Sequence, residues 1–78
     1  MKINVILCGF QWSGCKALDT LIKNKLIKKI YVYTHDAPYY FSDLEELCIQ
    51  KRISCSKSKI SIKNLPFDPD LIISVSYR

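Results

Sequence analysis

Lys2-Ile3-Asn4-Val5-Ile6-Leu7-Cys8-Gly9-Phe10-Gln11-Trp12-Ser13-Gly14 decides the fold. Lys2 to Cys8 is apolar and β-branched, with no polar alternation beyond Asn4, which predicts a strand buried on both faces. Gly9 to Trp12 reads as a loop. Ser13 is then a good N-cap for a helix reaching about Asn24. Gly14, Ala17, Leu18, Leu21 and Ile22 recur at helical spacing and form its inner face, while Lys16, Asp19, Lys23 and Lys25 fall mostly outside. A doubly buried strand that feeds a helix is the opening of a parallel βαβ unit.

The rest of the chain repeats that pattern. Ile30 to Thr34 is a second predicted strand, rich in β-branched and aromatic residues. His35 to Phe41 is a loop. Ser42-Asp43-Leu44-Glu45 is a capping box that opens a helix to about Lys51, with Leu44, Leu47 and Cys48 on its apolar side. Ile53 to Cys55 is a short third strand. Ser56 to Pro69 is irregular, with a turn of helix near Ile62 to Leu65. Leu71 to Val75 is a fourth strand, introduced by Pro69-Asp70. Right-handed crossovers give the strand order 3-2-1-4, a partial Rossmann-like parallel sheet of the α/β class. Ligands of such sheets bind beyond the carboxyl ends of the strands, where the order reverses. Gly9 to Ser13 and Ser76 to Arg78 are therefore the expected crevice. The fourth strand is an apolar edge, and an apolar edge normally has a neighbour. Residues 1–78 are accordingly expected to be part of a longer domain.

Composition narrows the classes. Hydrophobic residues are 49% and charged residues 24% of the 78, which is globular and excludes a disordered chain. The longest apolar run, Val5 to Cys8, is too short for a transmembrane helix or a signal-peptide core. The net charge of +5 admits an anionic ligand. The lysines are scattered, however, and no arginine cluster is interleaved with aromatics, which argues against nucleic acid. Cys8, Cys15, Cys48 and Cys55 contain no C-x-x-C pair, so no zinc site is expected. A cytoplasmic protein with reduced thiols is the expectation.

The candidate motifs are partial ones. Gly9 to Gly14 has two glycines between strand and helix, where backbone N–H groups attract anions. A P-loop needs Lys directly after the second glycine and then a hydroxyl residue, but Cys15 and Lys16 follow here. The dinucleotide pattern also fails, for want of its middle glycine. Gln11 and Trp12 are placed to stack on and hydrogen-bond a ligand, or Trp12 caps the core. His35-Asp36 suggests acid–base chemistry, but adjacent side chains rarely aim at one point, and a structural loop is the simpler reading. Tyr39-Tyr40-Phe41 is either a substrate-facing run or the hydrophobic staple of the second helix. Arg78 is suited to a carboxylate or phosphate.

Several stretches together resemble the N-terminal part of the formyltransferase family. They are Met1-Lys2-Ile3, Gly14 to Leu21 with its A-L-x-x-L pattern, Tyr33-Thr34-His35-Asp36, Leu44 to Ser54 and Pro69 to Arg78. Pro69-Asp70-Leu71-Ile72 is similar to the family's "PDLI" strand. Arg52-Ile53-Ser54 departs from its "GIP" turn. The Tyr77-Arg78 ending is closest to the sugar-nucleotide N-formyltransferases, with methionyl-tRNA formyltransferase also similar. The resemblance implies formyl transfer from N10-formyltetrahydrofolate to the amine of an amino-sugar nucleotide, without metal. It would set Gln11, Trp12, Ser13 and Gly14 toward the acceptor, and Ser76, Tyr77 and Arg78 toward the folate. The family's catalytic Asn, His and Asp lie downstream, on an N-x-H strand and a later loop. This sequence has no N-x-H and no catalytic residue of its own, so these residues are expected to be inactive by themselves. A homodimer of the complete enzyme is compatible with the resemblance. Two rival readings are a stand-alone α/β ligand-binding or interaction module and, last, a basic nucleic-acid-binding module.

Overall fold

A computed structural model describes residues 2–35 and 44–75. In chain order the elements are β1 (Ile3–Gly9), α1 (Gln11–Ile22), β2 (Ile27–Tyr33), α2 (Leu44–Lys51), β3 (Ser54–Ser56), a 3-10 turn (Ile62–Asn64) and β4 (Leu71–Val75). All strand pairs are parallel, and the order is β3-β2-β1-β4. The architecture is the partial Rossmann-like α/β sheet expected from the sequence. β1 lies centrally, and its Val5, Ile6 and Leu7 are wholly buried.

The two faces of the sheet are covered differently. Leu7 and Val32 meet Leu18 of α1 and Leu44 and Cys48 of α2 on one face. Ile6, Cys8 and Tyr33 face the other way, against Ile60, Leu65 and Phe67 of the connector between β3 and β4. Crossover handedness explains the division. Two right-handed steps in the same direction put both helices on one side, and the step back across β1 must use the other.

The element boundaries carry corrections. α1 starts at Gln11 rather than after a Ser13 cap, with Phe10 as its N-cap and no side-chain cap bond. Ser13 lies inside the first turn. α1 ends at Ile22, where Asn24 turns the chain: its Oδ1 accepts from the Leu26 N–H at 2.9 Å, and its carbonyl accepts from the Ile27 N–H at 3.2 Å. This tight Asx-type turn lets β2 begin at Ile27, three residues before the predicted start. Ile22 was expected on the inner face but is exposed. β3 is displaced by one residue, to Ser54–Ser56. The proposed capping residue Ser42 lies outside the described residues.

α2 closes with paired end bonds. The Ile53 N–H donates to the Cys48 carbonyl at 2.8 Å, and the Arg52 N–H donates to the Ile49 carbonyl at 3.2 Å. This is the Schellman pattern, whose turning residue is left-handed and usually glycine. Arg52 occupies it at φ 59°. An L-residue is penalised there by Cβ crowding, against which glycine's greater freedom when unfolded must be set. Arg52→Gly is expected to stabilise the fold by about 0.5–1 kcal/mol. The melting temperature should rise by several degrees, checked by thermal circular dichroism; an unchanged or lower midpoint would contradict this account.

Asp70 ties the start of β4 to β1. Its carboxylate Oδ2 accepts from the Asn4 N–H at 2.7 Å, and its own N–H donates to the Asn4 carbonyl at 2.8 Å. The bond falls beside the irregularity in the β1–β2 register between Ile3 and Asn4. Among the described residues β4 pairs only with β1, and Leu71 and Ile72 on it are 46% and 42% exposed.

Candidate functional site

The site lies at the carboxyl end of β1. Gly9 pairs with Val75 of β4, and the preceding Cys8 pairs with Tyr33 of β2. The sheet order reverses at this point, since β2 follows β1 to one side and β4 returns on the other. The ends of both neighbours therefore flank the turn from β1 into α1, the usual ligand position in open parallel sheets.

Two glycines let this turn close tightly. A Cβ on Gly14 would meet Leu44 Cδ2 at 2.8 Å and Gly9 backbone atoms at 3.1 and 3.3 Å. A Cβ on Gly9 would stand 3.1 Å from the Gly14 Cα and 3.2 Å from Leu44 Cδ2. The first turn of α1 thus rests directly on the end of β1, with Leu44 of α2 wedged against both. Phe10 is extended, and Gln11 then takes φ 54°, a left-handed conformation that side chains rarely adopt. The first helical bond is Gly14 N–H to the Phe10 carbonyl, 3.1 Å. The N–H groups ahead of it lie at the positive end of α1, whose first turn holds no acidic side chain.

Side chains around the turn are aromatic and basic. Trp12 is 63% exposed, and the Lys16 ammonium sits 5.0 Å from its ring centroid. A helix places positions i and i+4 on one face, which makes this cation–π contact possible. Phe10 packs edge-on against His35, with centroids 5.3 Å apart at 72°. Thr34 is buried, and its N–H donates to the Ser56 carbonyl at 2.9 Å. The ensemble presents an indole, an ammonium and helix-end N–H groups on one rim. Such a set suits a ligand with a planar ring and an anionic group.

Of the expected site residues, Gln11, Trp12, Ser13 and Gly14 come together in the first turn of α1. Gly14 is buried, and its part is the close approach of helix to strand. Ser76, Tyr77 and Arg78 lie outside the described residues, as do Asp36, Tyr39, Tyr40 and Phe41. His35 is half-buried, and its ring packs edge-on against Phe10. Sequence reasoning missed Lys16 as the partner of Trp12, although their i,i+4 spacing carries that signal once the helix begins at Gln11.

Among the described residues no helix is long and apolar enough to cross a membrane, and no group of three or more His, Cys, Asp or Glu is placed to hold a metal ion. No family model matches the chain, and neither a curated protein nor a solved structure matches it.

Proposed function

We propose that these residues form the N-terminal half of a formyltransferase-like Rossmann domain, in an enzyme that moves a formyl group from N10-formyltetrahydrofolate to the amine of a sugar nucleotide. The observation that carries the reading is the pairing of Gly9 with Val75, which sets the β1–α1 turn beside the end of β4 at the reversal of strand order. In this reading the rim of Gln11, Trp12 and Ser13 receives the acceptor. Trp12 stacks on a planar part of it, and the helix-end N–H groups and Lys16 draw its phosphates. Ser76, Tyr77 and Arg78 begin the folate side. Formyl transfer also needs a base for the amine and a donor for the developing oxyanion. In the family these come from residues downstream, on an N-x-H strand and a later loop. The exposed Leu71 and Ile72 are in keeping with a further strand beside β4.

Trp12 is the sole tryptophan in the sequence, so its emission reports on this rim alone. Titration of the chain with a nucleoside-diphosphate amino sugar is expected to change that emission saturably and to shift the amide resonances of Gly9 to Gly14. Formyl transfer by these residues alone is expected to be nil. Unchanged emission together with unchanged amide resonances would remove the acceptor site from this rim.

A further inference from the structure

We propose that the amino-terminal end of the sheet, opposite the β1–α1 turn, is a surface that rests on an anionic lipid bilayer. In a parallel sheet all strands begin at one end, and the crossover helices that run back finish there too. Lysines that are scattered along the sequence come together at this end. Lys2 precedes β1, Lys23 and Lys25 lie between α1 and β2, and Lys28 is the second residue of β2. Lys51 ends α2, and Arg52 follows it ahead of β3. All of these are exposed. β3, β2 and β1 are neighbours in the sheet, so the cations form a row along three adjacent strand starts. The Ile3 N–H donates to the Leu26 carbonyl at 2.8 Å, which fixes the segment of Lys2 beside the α1–β2 turn.

Strand register adds to the row. Pairing passes from Ile3 with Ile27 to Asn4 with Lys29, which leaves Lys28 as an extra residue in β2. Such a bulge re-aims side chains, and Lys28 and Lys29 both stand exposed. The acidic groups at this end are engaged or set apart. Asp19 pairs with Lys23 at 3.1 Å, and Asp70 accepts from the Asn4 N–H at 2.7 Å. Asp68 precedes β4, on the far side of β1. Glu45 and Glu46 lie in the first turn of α2, at the opposite end.

Aliphatic side chains select the partner. Leu26 is 60% exposed among these cations, and Ile22 and Ile49 are exposed in the last turns of α1 and α2. An anionic bilayer uses both kinds of group. Lysine stems lie along the acyl boundary with their ammonium groups among the headgroups, and leucine and isoleucine reach into that boundary. A nucleic acid would engage the cations alone, and it stacks its bases on aromatic rings. Among the described residues the exposed aromatic ring is Trp12, at the other end of the sheet. The contact is peripheral, and it leaves the β1–α1 turn facing water. This inference does not depend on formyl transfer.

The test is cosedimentation of the 78-residue chain with vesicles of phosphatidylcholine, alone or in equal parts with phosphatidylserine. The chain should bind the mixed vesicles and not the neutral ones, and added salt should weaken binding. Each cation at such a surface strengthens binding about five-fold, so Lys25→Gln with Lys28→Gln should weaken it about 25-fold. Lys59→Gln with Lys63→Gln removes the same charge from the connector between β3 and β4, and should weaken binding less than about three-fold. Leu26→Ser leaves the charge unaltered and should weaken it by about three- to ten-fold. Trp12 emission should stay unmoved on binding, because the indole is at the far end. Failure to prefer phosphatidylserine, equal losses in the two lysine pairs, or an unaffected Leu26→Ser would each overturn the proposal. A blue shift of Trp12 would overturn it too, as would tighter binding to a single-stranded oligonucleotide or to polyglutamate than to the mixed vesicles.

Discussion

Gly14→Ala is expected to destabilise the protein by about 1–3 kcal/mol, even though alanine is intrinsically the better helix former by about 1 kcal/mol. The new methyl would lie 2.8 Å from Leu44 Cδ2 and 3.1 Å from the Gly9 carbonyl carbon. The leucine can rotate away, but the glycine backbone belongs to the central strand and cannot. α1 must therefore tilt off the sheet, and a bulkier Gly14→Val should be worse. A double-mutant cycle separates the two contacts. Leu44→Ala alone should cost about 2–4 kcal/mol as a core truncation. Gly14→Ala combined with Leu44→Ala should cost less than the sum, by roughly 0.5–1 kcal/mol, because the methyl then meets only backbone. Urea midpoints would measure all three. Strict additivity would show that Leu44 does not constrain Gly14, and a stabilised Gly14→Ala would dismiss the close approach altogether.

Leu7→Ala should have an effect at least as large. Leu7 is fully buried on β1, pairs with Val32 and Ile73 on either side, and packs against Leu18, Leu44 and Cys48. Truncation there costs about 2–5 kcal/mol. A domain of this length has a net stability of roughly 4–12 kcal/mol. The substitution therefore removes a large share of the folding free energy, and a parent stable by about 4 kcal/mol that loses about 5 would be mostly unfolded at room temperature. Far-ultraviolet circular dichroism against urea would show this as a large fall in midpoint. Leu7→Ile keeps the volume and should cost less than about 1.5 kcal/mol. A Leu7→Ala midpoint close to the parent's would mean that the helix-covered face of β1 is not where the stability resides.

The strand order and the central place of β1 were legible because they rest on strong signals. Val5 to Cys8 has no polar alternation, and Leu71 to Val75 is apolar directly after Pro69-Asp70. The boundaries failed where local chemistry is ambiguous. Lys28 and Lys29 precede the predicted strand, yet both lie in β2, where Lys29 lays its ammonium 5.9 Å from the Phe67 ring centroid. A long side chain can run along an apolar surface and keep its charge in water, so lysines do not forbid a strand. Ser13 has the chemistry of a cap, but the glycine pair lets the helix begin earlier, and the left-handed conformation of Gln11 has no signature in residue type. For the site, the β1–α1 turn was legible as the place where strand meets helix at the reversal of order.

The bond between Asn4 and Asp70 spans 66 positions. The pairings of β1 with β2 and of β2 with β3 join nearer neighbours and are the quicker to nucleate. β4 can dock only after a far longer excursion of the backbone, which costs little more at equilibrium but delays encounter. The reversal of strand order, and with it the lip on which a ligand would rest, is thus expected to be the last feature assembled as the molecule acquires its shape.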